Sequence, residues 1–288
     1  MADNLLRRRY PGDLEEIQPR QTLDTGTPPV RDISARDPLR WLAAGWGDVW
    51  RAPVSLLHGL VVTVGGWLIL WLAWDQPWLA MAAISGFLLI GPALAVGVNE
   101  LARRLERGDR EGLGIGQCLS AVPSLGASLW LFAALLAGLF LVWAGFMTLW
   151  IGVMNVGDLG IPANLGELLG VMLAGPRGIL SLIGLVIAGA VLAIAAFAVG
   201  VITVPAMLDR RVGLVDAIAI SLKAFNHNRG PMLVWAGLIT ALFGLSVLTA
   251  LIALIVVFPW LGFAMWRGYR ALVKPAVGKD EKAKPEPA

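Results

Sequence analysis

Few side chains in this sequence could carry chemistry, and none has the spacing that chemistry requires. There are two histidines, His58 and His227, and one cysteine, Cys118. A metal centre takes three or four such donors at ligand spacing, and these three are far apart in the chain. Both histidines fall near the same expected membrane edge, so a shared site is geometrically possible. A histidine satisfied at the interface is the plainer role. Cys118, being single, excludes an internal disulfide and reads as a packed thiol. The sequence has no phosphate-binding loop, no H-E-x-x-H and no G-x-S-x-G, and Gly114-Ile-Gly116 is too short for a nucleotide fingerprint. The expectation is a non-enzymatic protein with no metal, cofactor or catalytic set.

Three polar clusters remain as candidate contacts. Asp209, Arg210 and Arg211 follow Pro205. Asn226, His227, Asn228 and Arg229 precede Pro231. Trp266, Arg267, Tyr269 and Arg270 close the last apolar stretch. Arginines beside aromatic rings suit anionic headgroups or a protein partner. The competing role is simple anchoring by snorkelling arginines.

The elements that must position these clusters are membrane helices. Of 288 residues, 57% are hydrophobic and mean hydropathy is +0.73. Only 15% are charged, against about a quarter in a soluble domain. The net charge of +3 is spread over segments that also hold Glu100, Glu106, Asp109 and Glu111. That pattern is no nucleic-acid footprint; a lipid bilayer, with its anionic headgroups, is the expected counterpart. A spanning helix needs roughly 20 apolar residues. Residues 54–74, 78–98, 127–151 and 178–205 qualify without one Asp, Glu, Lys or Arg. The run 232–273 would form a single helix about 60 Å long, twice the hydrocarbon core. Two spans joined by a turn near Ser246–Thr249 fit better. Such uncharged spans argue against a proton-coupled transporter or a voltage sensor.

Charge then fixes orientation. A Lys or Arg at mid-bilayer costs roughly 2.5–3.5 kcal/mol, and short basic loops stay cytoplasmic. Of the 23 Lys and Arg residues, all but Arg177 sort to one side when six spans are drawn. The expectation is an all-α, multi-pass membrane protein of the bacterial inner membrane, with six helices as three hairpins and both termini cytoplasmic. Residues 1–37 and 274–288 are polar, aperiodic and expected to be disordered, leaving 38–273 as the membrane domain. The first apolar stretch starts too late for a cleavable signal peptide. Tryptophans cluster at the expected interfaces, except Trp130 and Trp143, which are expected against other helices.

The hairpins resemble one another. Each has an amphipathic lead ending in Pro53, Pro123 or Pro231, and each return helix carries a candidate kink at Pro92, Pro205 or Pro259. The first lead aligns Leu39, Leu42, Trp46, Val49 and Trp50, with Asp48 and Arg51 opposite, as in an interfacial helix. The second unit contains an insertion, 155–177, with an amphipathic segment at Leu165–Leu173 capped by Asn164 and ended by Gly175-Pro176. It either rests on the outer surface or re-enters the membrane. Small residues recur four apart, as in Gly184/Ala188 and Gly237/Ala241, which permits close helix approach.

Trp41-Leu-Ala-Ala-Gly-Trp-Gly-Asp48, Pro205-Ala-Met-Leu-Asp-Arg210, Asn228-Arg-Gly-Pro-Met232 and the ending Pro259–Arg270 resemble a bacterial family of predicted integral membrane proteins, domain of unknown function 2189. The resemblance covers about residues 35–273. It implies the membrane class and no reaction. Where that family carries histidines in its ending, this chain has Phe263 and Arg267. A cytochrome-oxidase-like role, which some family labels suggest, lacks its ligands here. The expected role is partner or lipid binding, as in an assembly or organising protein with a membrane-protein partner. The alternative is a permease for an apolar or weakly polar solute using the proline-kinked helices. Reporter fusions within residues 99–117 and after residue 273 should both read as cytoplasmic; a periplasmic signal at either would overturn the topology.

Overall fold

The structure, a computed structural model, describes residues 28–109, 114–154 and 165–273. Residues 1–27 of the expected N-terminal tail 1–37, the expected C-terminal tail 274–288 and the Asn164 cap lie outside the described residues. Within them every element is helical, apart from one antiparallel bridge between Val30 and Val273.

Helix α1 (Asp37–Arg51) begins with Pro38 in its first turn, where a missing N–H costs nothing. Asp37 accepts hydrogen bonds from the Ser34 backbone N–H (2.7 Å) and hydroxyl (3.0 Å). The backbone bond is the main reason its carboxyl lies below the ordinary aspartate range. Then follow α2 (Ser55–Leu72), α3 (Pro77–Leu94) and α4 (Val96–Glu106). Helix α5 (Ile115–Met154) is broken at Gly126, whose φ of 52° and ψ of −136° suit only glycine. After it come α6 (Leu165–Leu173), α7 (Gly175–Gly200), α8 (Thr203–Arg210), α9 (Leu214–His227), α10 (Arg229–Leu248) and α11 (Leu254–Leu272). Gly175, with φ of 76°, both closes the α6 segment and opens α7.

Two of the three return helices break near their prolines. Pro205 has no N–H to give the Val201 carbonyl, and the chain leaves helical geometry at Ile202 before resuming as α8. Helix α3 contains Pro92 and gives way to α4 three residues later, at Ala95. Helix α11 stays helical through Pro259.

Five stretches are long and apolar enough to cross a membrane: Ser55–Leu72, Leu79–Glu106, Ser120–Trp150, Gly175–Arg210 and Arg229–Leu248. The run 232–273 divides into two helices as expected, but the turn falls later, at 249–253. Ala250 and Leu251 take positive φ there (50° and 68°). Helix α2 stabilises that strained turn: Trp67 Nε1 donates to the Ala250 carbonyl (2.6 Å) and Thr63 Oγ1 to the Leu251 carbonyl (3.5 Å). In hydrocarbon such carbonyls must find donors within the protein.

Helix α11 is not among the five, because Arg267, Arg270 and several aromatic residues dilute its apolar character. It is instead the most enclosed of the long helices. Phe263, Ala264, Trp266, Tyr269 and Leu272 are all at most 1% exposed. Glycines let its neighbours close on it. Gly45 of α1 meets the Ala264 backbone, Gly59 of α2 meets the Ile255 carbonyl, Gly262 faces Val98 of α4, and Gly268 lies under the Trp41 ring. The Ile255 carbonyl is the one that Pro259 cannot serve, so the closest approach falls where the helix backbone is exposed.

This packing rotates α1 from its expected setting. Trp41, Leu42, Gly45, Asp48 and Val49 face α11 and are buried, while Leu39, Trp46 and Trp50 lie outside. Asp48, expected on the solvent face, is thus 3% exposed. Trp260 fixes the register by donating to the Leu42 carbonyl (2.7 Å). Residues 30–33, expected within a disordered lead, are also held. Besides the Val30–Val273 bridge, Arg31 N–H donates to the Leu272 carbonyl (2.8 Å), and Asn228 bonds both the Arg31 carbonyl (3.1 Å) and the Ile33 N–H (3.1 Å).

A smaller cluster joins α3, α5, α6 and α7. Trp143 Nε1 donates to Ser85 Oγ (2.8 Å) and Trp150 Nε1 to Ser181 Oγ (3.1 Å), with Gly189 and Gly184 making room for the rings. Trp143 therefore packs between helices, whereas Trp130 is 68% exposed: only Trp143 has a serine across from it.

A Cβ at Gly59 would collide with backbone that cannot swing aside. Gly59→Ala should lower stability by about 2 kcal/mol or more, read as the detergent-solubilised melting temperature. Gly47→Ala, on the open side of α1 with nothing near it, should be neutral or stabilising by up to about 1 kcal/mol.

Candidate functional site

Of the residues singled out for contact, Asp209, Arg210, Trp266, Arg267, Tyr269 and Arg270 lie at one end of the bundle, where α1, α4, α8 and the foot of α11 meet. Arg270 is the hub. Its guanidinium takes Asp209 with two nitrogens (3.0 and 2.9 Å) and gives Nε to Glu106 (2.8 Å). It lies 5.2 Å from the Trp266 ring centre and 5.7 Å from that of Tyr269, within cation–π range. Tyr269 donates its hydroxyl to Asp209 (2.7 Å), and Trp266 Nε1 donates to Glu106 (3.0 Å). Two carboxylates thus serve one cation and two aromatic donors.

Arg267 points elsewhere on the same helix. It clasps Asp48 of α1 through Nε and a terminal nitrogen (2.7 and 2.9 Å), and Arg51 adds a third bond to that carboxylate (3.1 Å). On α4, Glu100 is buried and receives Arg103 twice (both 2.7 Å) and Arg104 once (2.8 Å). Fork-to-carboxylate bonding of this kind is the strong form of ion pairing. These three acids, Asp48, Glu100 and Glu106, were not legible as partners. Their only sequence signal is an acid set among basic residues at a membrane edge.

The other candidates separate from this hub. Asn228 is 5% exposed and its amide is committed to residues 31 and 33. His227 lies outside, 2.8 Å from Asp32, and Arg229 donates to Asn226 (3.1 Å). Arg210 is the exception, closing α8 beside the hub residue Tyr269, and Arg211 follows it in the left-handed conformation at φ 53°. His58 is held apart from His227: its Nε2 donates to the Leu94 carbonyl (3.0 Å) and its ring stacks on Phe258. Cys118 reaches the same spot, since a Cβ on Gly97 would touch both the His58 ring and the Cys118 Cβ. Burial raises the Cys118 thiol above its ordinary range, so it is mostly unionised at neutral pH. Among the described residues no group of three or more His, Cys, Asp and Glu is placed to hold a metal ion.

The interior between the broken helices is apolar. A cavity of about 90 Å³ lies beside Pro92, Ala95 and Val201, walled by Phe87, Phe197 and Trp235. No charged side chain lines it.

The outermost pair offers a direct test of the network. Losing Arg267 leaves the buried Asp48 with Arg51 alone, whereas losing both partners removes the problem. Arg267→Met should cost about 2–3 kcal/mol, and Asp48→Leu/Arg267→Met measurably less, by melting temperature of the purified protein. Equal losses would show that the pair is not coupled.

Residues 79–209 match the model of a family described as predicted integral membrane protein, domain of unknown function 2189. That is narrower than the expected 35–273 and leaves out α1, α2 and α9 to α11. No curated protein matches the chain, and no solved structure does either.

Proposed function

We propose that this integral membrane protein acts as a non-enzymatic organiser of the bacterial inner membrane, docking lipid headgroups and a membrane-protein partner on its cytoplasmic side. In this reading α11 is a sixth span. The six form three hairpins, each preceded by an interfacial helix, and both termini are cytoplasmic. Support for the orientation comes from the charge sorting. Arg267 and Arg270 gather with the basic residues of α1, α4 and α8 at one end, and Arg177 starts α7.

The observation that carries the docking role is the outer face of α1. Leu39, Trp46 and Trp50 are 54%, 42% and 56% exposed, and Arg36, Arg40 and Arg51 flank them. Tryptophan beside arginine at an interface suits headgroups and the shoulder of a neighbouring protein. Arg40 and Arg51 keep most of their side chains exposed while paired with Asp37 and Asp48; Arg267 and Arg270 are more enclosed and held by carboxylates, so they act as the scaffold behind this face. The permease alternative draws support only from the apolar cavity at the kinks, which restricts it to apolar solutes.

Purification in mild detergent should retain a defined protein or anionic lipid, and Leu39→Ala/Trp50→Ala, which spares the Trp46 ring packed on Trp260, should lower that recovery about tenfold without changing the melting temperature. Wild-type protein recovered alone, with no enrichment over an unrelated membrane protein, would sink the docking role.

A further inference from the structure

A cavity larger than the one beside Pro92 lies away from that face, halfway along the helices. Helices α7 and α10 do not close on each other. Between them a slot of about 370 Å³ runs inward, floored by Leu88 and Leu89 of α3 and Trp143 of α5. Its walls are small: Gly189, Ala190 and Ala193 on one side, Ala236 and Gly237 on the other. At the mouth Ala190, Ile194, Leu233, Gly237 and Thr240 are exposed, while Leu89 and Trp143 at the floor are buried. We propose that this slot is a lateral binding site for one acyl chain of a membrane lipid. The inference goes beyond the docking role and concerns a different part of the molecule.

Position supplies the first argument. Residues 189–194 lie in the middle of α7, 233–240 in the middle of α10 and 85–89 in the middle of α3. The mouth therefore opens at the level of hydrocarbon, and only a lipid tail or a protein helix can enter.

Chemistry supplies the second. The two side-chain hydroxyls on the lining are already committed. Ser85 Oγ donates to the Met81 carbonyl (2.8 Å) and accepts from Trp143 (2.8 Å), and Thr240 Oγ1 donates to the Ala236 carbonyl (2.9 Å). A water would need two or more polar partners, and the lining offers too few. A headgroup, sugar or solvated ion fares no better. An unfilled void of this size would forfeit dispersion contacts on every wall.

Size decides between tail and helix. The volume is that of about a dozen groups the size of a water or methylene. A helix about 10 Å wide, rising 5.4 Å per turn, would fit less than roughly one turn into it. A single chain fits lengthwise. Its end is directed inward, because Leu88, Phe197 and Ile239 line both this slot and the cavity beside Pro92 and Val201. The chain terminus would then rest where α3 and α7 break.

The test uses the full chain in nanodiscs containing phosphatidylcholine with a photoactivatable diazirine near the end of one acyl chain. After irradiation, labelled peptides are mapped by mass spectrometry. Leu89 and Trp143, although buried, and the partly buried Phe197 should be labelled within about twofold of the lipid-facing Val61 and Leu68; Ala193→Phe, which plugs the slot, should cut floor labelling about tenfold and leave Val61 and Leu68 unchanged. Background labelling of the floor in the unaltered protein would overturn the proposal whether or not the variant folds. So would disulfide cross-linking between copies through Ala190→Cys and Gly237→Cys in a Cys118→Ser background, which would identify the occupant as a second copy.

Discussion

A helix carrying two arginines sits at the centre of this bundle, and acidic side chains make that possible. Asp48, Glu106 and Asp209 come from three separate helices, α1, α4 and α8, and converge on Arg267 and Arg270 of α11. Without them the foot of α11 would have to turn outward to water or headgroups. With them it stays under Trp41 and α1 lies flat along it. The break at Ile202 belongs to the same constraint, because it sets the direction of α8 and so brings Asp209 to Arg270. Salt bridges are usually weak sources of stability. The pair at Asp48 matters most because that carboxylate is buried, where an unpaired charge is costly; Asp209 is partly covered and Glu106 exposed.

Above that layer the forces change. Lipid tails are as apolar as leucine, so burial of apolar side chains between spans gains little, and close packing has to substitute. Gly45, Gly59, Gly262 and Gly268 provide it around α11. Each is matched by something that needs the space: a backbone, a carbonyl, a valine or an indole. The α7 side is built differently. Gly184 and Gly189 admit tryptophan rings, while Gly237 meets nothing within 4 Å. The same small residues that tighten one half of the molecule leave a gap in the other.

The long apolar runs were legible in the sequence, because hydrocarbon imposes a length and forbids charge. So were the division of residues 232–273 and the helix at Leu165–Leu173. The turn at 249–253 was displaced from its expected place because it depends on donors from Trp67 and Thr63, nearly two hundred positions away. The setting of α1 was misread for a related reason. Leu39, Trp46 and Trp50 look like the buried face when only lipid is considered, but α11 claims Trp41, Gly45 and Asp48 instead. Periodicity reports that a helix has two faces and does not say what each meets. The polar clusters were found and their task was not, since a basic-aromatic ending reads alike whether it meets lipid or carboxylates from three other helices.

The bridge between Val30 and Val273 brings the two ends of the described fold side by side, with Asn228 holding the nearby segment at residues 31–33. The chain is thereby a nearly closed ring. Joining its ends through a short linker and opening it at 107–114 would give a circular permutant that keeps every span and every ion pair of the central helix. It also means that the points where both tails leave the described fold lie side by side, at the foot of α11.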